Sequence, residues 1–190
     1  MNSDDLKRIF KNLIYLNMSQ LKTICNKYYI PYNIYIQKNN DIIKTNEIDH
    51  KIIIINNIKK YLKNNIIPRK TIYKEKIINY NNNEQLYDNS YIYYGQYKTT
   101  NKQILNIMEK LTDNKFKFGA ISQKIIRNIW RSNKLITYKE FAELWINENN
   151  IGIKYPELAY NEFMKSNGDR YKWHQNKKDI LIIFKKFNLL

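Results

Sequence analysis

Lys59, Lys60 and Lys63 crowd into "IKKYLK" (58–63), and Lys22 and Lys27 frame "LKTICNK" (21–27). Ammonium groups carried on helices suit one ligand above others, the phosphates of a polyanion. If the fold gathers Lys22, Lys27, Lys51, Lys59, Lys60 and Lys63, they would contact a sugar–phosphate chain along one groove face. Arg127 and Arg131 stand four apart, next to Trp130. Their guanidinium groups suit bidentate contact with phosphate or guanine. Plain solvated faces and surface ion pairs account for the same residues equally well at this stage.

Other chemistries find less support. Cys25 falls in an apolar stripe, with no histidine near it in sequence to activate a thiolate. His50 and His174 are far apart, and one cysteine gives no local ligand set for zinc. Four glycines leave no Gly-rich phosphate loop. Glu140, Glu143, Glu148 and Glu157 fit capping or solvation better than acid–base work. The sequence therefore predicts no catalytic residue, no metal and no cofactor.

Charge points the same way as the lysines. The 190 residues carry 33 Lys+Arg against 17 Asp+Glu, a formal net charge of +16. Cationic surface gains from releasing counterions on nucleic acid. Lysine also shares A/T-rich codons with the abundant Asn, Ile and Tyr, so codon bias is a competing source of it. Codon bias does not by itself hold the acids to 17. The excess is spread over both halves of the chain rather than collected in a tail. No apolar run approaches the roughly 18 residues of a membrane span. The acidic "MNSDDLKRIF" is unlike a signal peptide, so an intracellular protein is expected, in cytoplasm, nucleoid or nucleus.

The elements that would position these groups are mostly helices. Few Gly and Pro disfavour a turn-rich β sandwich. Leu6, Ile9, Phe10 and Leu13 predict a helix over 3–16, with Ser3 as its cap. Leu21, Ile24, Cys25 and Tyr28 predict a second, from Ser19 to before Pro31. "NIYIQKNNDIIKT" (33–45) reads as a short hairpin around "QKNN". The segment 49–65 has a strand-like run of isoleucines, but its length and the spacing of Ile55, Ile58, Tyr61 and Leu62 favour a helix capped by Asp49.

The second half continues the pattern. Helices are predicted over 100–111 with a Thr100/Gln103 capping box, and over 120–133 with Ile125, Ile126, Ile129 and Trp130 inward. Over 136–150, Thr137 and Glu140 form a capping box, Ile136 and Phe141 a hydrophobic staple, and Phe141, Leu144 and Trp145 the inner face. Two more are expected over 155–168 and 176–187, the last capped by Asn176. The expected class is mainly α, in small helical units, with a short β-hairpin near 34–44. The expected division is a unit over 1–68, a linker over 69–83 and a C-terminal helical domain over 84–190.

"LKTICNKYYIPYN" followed by "DHKIIIINNIKKYL" resembles a SAP motif, a helix, an extended link and a second helix. Leu21, Ile24, Cys25 and Ile30 match its first helix and the start of the link. Lys51, Ile54, Ile55, Ile58 and Leu62 match its second helix. The link here is longer than the family's and lacks its glycine. The resemblance implies a DNA-binding module, often with a preference for A/T-rich duplex. "FKFGAISQKIIRNIWRSNKLITYKEFAELW" is similar to a small domain found beside SAP motifs in bacterial proteins, through Phe116, Phe118, Thr137, Tyr138, Phe141, Ala142 and Trp145. "GDRYKW…KKDIL" resembles the closing segment of the same proteins.

Together these features predict a non-enzymatic protein that binds DNA, or alternatively RNA, through phosphates and with weak sequence specificity. The second reading is a protein–protein adaptor, phage- or virus-encoded, docking through an aromatic-rich helical surface of the C-terminal domain. An accessory to a nuclease or other enzyme is a third.

Overall fold

The computed structural model describes residues 2–78, 84–150 and 170–190, with side chains of the last stretch described from Lys177 onward. The fold is mainly α, with eight helices among the described residues and one small sheet. The helix expected over 155–168 lies outside the described residues.

Helix α1 spans Ser3–Asn12 and runs into a 3-10 turn at Leu13–Tyr15. Its cap is Asn2 rather than Ser3: the Asn2 amide oxygen accepts from Asp5 N at 2.8 Å. Helix α2 spans Met18–Lys27, and Asn17 and Gln20 close a reciprocal capping box one turn into it. Strands β1 (Asn33–Lys38) and β2 (Asp41–Ile48) form the expected hairpin. Its two-residue turn is Asn39–Asn40, both at positive φ, as a primed hairpin turn requires.

Helix α3 spans Lys51–Asn64, so the isoleucine run is helical and not a strand. Its cap position is taken by His50. Asp49, expected there, is instead buried and accepts from the Thr71 hydroxyl at 2.8 Å. That bond satisfies a carboxylate which burial would otherwise penalise.

The segment expected to be a linker carries structure. Strand β3 (Thr71–Tyr73) adds to the hairpin in the order β2-β1-β3, and the short α4 (Glu75–Ile78) follows. Then come α5 (Lys102–Leu111), α6 (Ala120–Arg131), α7 (Tyr138–Asn150) and α8 (Arg170–Lys186). Helix α5 is capped by Asn101, while the Gln103 side chain accepts from Leu86 N. Asn176 is a position within α8 rather than its start.

Two compact units result, and they do not follow the expected division. The first takes the chain up to Asn33, Glu47–Thr71 and the C-terminal helix; the second takes Ile34–Asn46 and the described residues from Ile72 to Asn150. The chain crosses between them within β1, within β2 and again within β3. The physical reason for the difference is burial. Tyr73 and Ile77 of the supposed linker are in the second core, and Phe184 of α8 is in the first.

The first core joins Ile9, Leu13, Leu21, Ile24, Cys25, Ile54, Ile55 and Ile58 with Phe184 and Leu189. The second is built on rings. Trp130 lies edge-on to Tyr73, Tyr94 and Tyr97 at 5.6–6.4 Å, and its Nε1 donates to the Ile92 carbonyl at 3.0 Å. Phe116, Phe118, Phe141 and Trp145 extend the cluster. Leu144, expected inward, is 41% exposed, because Phe141, Ala142 and Trp145 define the buried side of α7.

Candidate nucleic-acid interface

The phosphate-binding expectation turns on whether the lysines converge. Three helix C-termini in the first unit do. The ring of Tyr28, which closes α2, lies 5.2 Å from that of Tyr61 in the last turns of α3. Its hydroxyl donates to the Asn188 carbonyl, just past α8, at 3.1 Å. Lys27 donates to the Asn188 side chain at 2.7 Å. The ends of α2, α3 and α8 are thereby brought to one place.

Each of those ends carries lysine. Lys27 belongs to the last turn of α2, Lys60 and Lys63 to the end of α3, and Lys185 and Lys186 to the end of α8; all are exposed. A lysine in a final turn faces the negative pole of its helix, roughly half an elementary charge. Helix α1 runs against α3, since Lys51 bonds the Ile14 carbonyl and Lys59 reaches Phe10. Its Asp4 and Asp5 therefore come to the same end. Asp4 is taken by Lys7 in an exposed pair at 3.3 Å. Positive charge remains after the three helix poles and the two aspartates are set against the lysines.

The other expected residues go elsewhere. Lys22 sits five positions before Lys27, turned roughly 140° around the helix. Its ammonium lies 6.0 Å from the Tyr32 ring centroid. Lys51 is at the far end of α3, about 18 Å along the axis from Lys63. Lys59 lies toward α1, 5.8 Å from the Phe10 centroid. Arg127 and Arg131 belong to α6 in the second unit, Arg127 half-buried and Arg131 exposed. Trp130 beside them is a core residue and presents no free face for stacking. The single groove face of six lysines is thus replaced by a lysine-bearing end. Lys185 and Lys186, which the sequence reads as a plain solvated face and leaves out of the groove, complete it. Their signal was the doubled lysine in "FKKF" (184–187), but its place depends on contacts across most of the chain.

No other constellation forms among the described residues. No three of His, Cys, Asp and Glu come together to hold a metal. Cys25 is buried, and burial pushes its thiol up to about 12, far from a nucleophile's range. The second unit has an open cleft of about 250 Å³ lined by Glu84, Gln96, Lys98, Thr100, Asn101 and Gln103 among others, without histidine or cysteine. No described helix is long and apolar enough to cross a membrane. Compared with protein-family models, curated proteins and solved structures, the chain finds no match in any of the three.

Proposed function

We propose that this chain binds nucleic acid, with DNA as the first partner to test. It would do so by holding a sugar–phosphate backbone on the end of the first unit where α2, α3 and α8 terminate. The observation that carries this reading is the joining of Tyr28 to Tyr61 and Asn188, which sets Lys27, Lys60, Lys63, Lys185 and Lys186 on one end. Exposed ammonium groups on a common surface are what counterion release requires. The SAP-like spacing of α2 and α3 supports the same partner. Recognition through phosphates gives affinity with little sequence preference, and no step of covalent chemistry enters.

The adaptor reading has less behind it. Of the rings described between residues 84 and 150, most are taken up by the second core.

The test is a titration of labelled 20-mer DNA, duplex and single-stranded, at several salt concentrations. If five lysines contact phosphate, log K falls with log salt at a slope of about −4.5 on duplex. The Lys27→Ala/Lys60→Ala/Lys63→Ala variant should make that slope shallower by about 2.7. Absence of binding at low salt, or a flat salt response, rejects the proposal. An RNA competitor of the same length separates the two polynucleotides.

A further inference from the structure

Tyr29 stands in a position where the backbone does not favour a tyrosine. Helix α2 closes with Ile30 N donating to the Cys25 carbonyl at 2.9 Å, the long hydrogen bond of a Schellman motif. The residue inside that bond must turn left-handed, and glycine is its usual occupant. Here it is Tyr29, at φ 55°. The other non-glycine residues at positive φ among those described are Asn39, Asn40, Asn65, Asp113, Asn114, Asn133 and Asn188. Asn and Asp tolerate this conformation through their short polar side chains; a bulky ring does not. Among the described residues Tyr29 is the exception to that rule.

Packing does not repay the strain. Tyr29 is 83% exposed, the most exposed large apolar side chain described. Its neighbours are anchored differently: Tyr28 is held by Tyr61 and Asn188, and Ile30 is buried in the first core. An open ring is therefore projected from a fixed base, two residues after Lys27 on the lysine-bearing end. The helix end needs the left-handed turn but not a tyrosine at it, and a bulky ring held there without packing points to a role in binding.

We infer that Tyr29 is a stacking platform for an unpaired base, so that single-stranded nucleic acid is the class of polynucleotide this end selects. The inference rests on the nucleic-acid reading above and narrows it. Lysines hold the backbone of either a duplex or a single strand. Only a strand with accessible base faces can stack on the ring, and such stacking is tolerant of sequence. The phenol ring supplies the face, and its hydroxyl is not required.

The experiment compares Tyr29→Ala, Tyr29→Gly and Tyr29→Phe in the full chain, by fluorescence anisotropy on labelled oligo-dT and on a duplex of equal length. Tyr29→Ala and Tyr29→Gly should weaken oligo-dT binding by between about 5- and 150-fold, the range for one lost base stack. Tyr29→Phe should stay within about twofold of the parent. Duplex affinity and the salt slope should not move, because no charge is removed. Tyr29→Gly should melt no lower than the parent, which keeps loss of binding apart from loss of fold. Unchanged oligo-dT affinity in Tyr29→Ala overturns the inference while the lysine reading stands. Equal losses on duplex and single strand overturn it as well. If the parent chain binds neither polymer at low salt, the nucleic-acid reading fails first and this inference falls with it.

Discussion

The hydroxyl of Tyr28 donates to the main-chain carbonyl of Asn188, a residue 160 positions further along, at 3.1 Å. The bond ties the end of the second helix to the end of the last. Together with the burial of Phe184 and Leu189, it joins the C-terminal segment to the first unit, and with it brings the end of α8 that carries Lys185 and Lys186 to the end of α2 that carries Lys27.

Phe184 gives that closure most of its energy. It is fully buried among residues of α1, α2 and α3. Phe184→Ala should cost about 3–5 kcal/mol. Ile182, on the same helix but 55% exposed, should change stability by about 0.5 kcal/mol or less on truncation. Urea unfolding of both variants checks the pair. Equal small effects would mean that α8 is not part of the first core.

What the sequence allowed one to see follows from range. The Thr137–Glu140 capping box depends on residues three apart, and it forms as read. The hairpin and the helical fate of the isoleucine run were also legible, since both follow from periodicity and turn chemistry over short windows. Helix starts slipped by a residue or two where asparagine was available: Asn2, Asn17 and Asn101 cap in place of Ser3, Ser19 and Thr100. Strand β3, three residues long, carries too little alternation to be noticed. The partition into units was not legible, because it is decided by Phe184 and Leu189 meeting residues far away in sequence. The lysines were visible as charge, and their grouping depends on that same closure.

Position should separate lysines that sequence treats alike. Lys27→Ala should make the duplex salt slope shallower by about 0.9, one phosphate contact. Lys22→Ala and Arg131→Ala should leave it unchanged, since Lys22 lies around the helix over Tyr32 and Arg131 lies in the second unit. Anisotropy titrations at four salt concentrations resolve the difference. A slope that shifts equally for all three variants would contradict a localised contact surface.

Glu140 should give α7 an acid-sensitive start. Its carboxylate accepts from the Thr137 backbone N–H at 2.7 Å and from the Thr137 hydroxyl at 2.9 Å. These bonds, the backbone one first, hold its pKa below the usual carboxylate range. A depressed folded-state pKa means stability present above the unfolded value of 4.5 and lost as pH falls through the folded one. Glu140→Gln keeps a capping box and should lose little at pH 7 while showing a weaker decline in acid. Thr137→Ala removes the hydroxyl half of the box, leaving the backbone N–H bond to Glu140, and should cost about 1 kcal/mol. Thermal melts of the second unit at pH 7 and pH 3.5 test both.

Cys25 should limit the first unit at the alkaline side. Burial raises its pKa from 9.0 to about 12, because the thiolate would sit in the first core without solvation. The sign follows from proton counting. Between those two values the unfolded chain has released the proton and the folded chain retains it, so stability falls as pH rises, by at most about 1.4 kcal/mol per pH unit. Below pH 9 the contribution is fully present. Tyr97 and Tyr138 in the second core are also shifted upward by burial, so the whole chain loses stability in this range. The contribution of the thiol is therefore read as a difference. Cys25→Ala should show a shallower decline between pH 9 and 10.5 than the parent, whatever its stability at neutral pH. Thiol-reactive dye at pH 8 should label the native parent slowly, at a rate set by opening of the first unit. Rapid labelling of the folded chain would show that Cys25 is not enclosed as its packing requires.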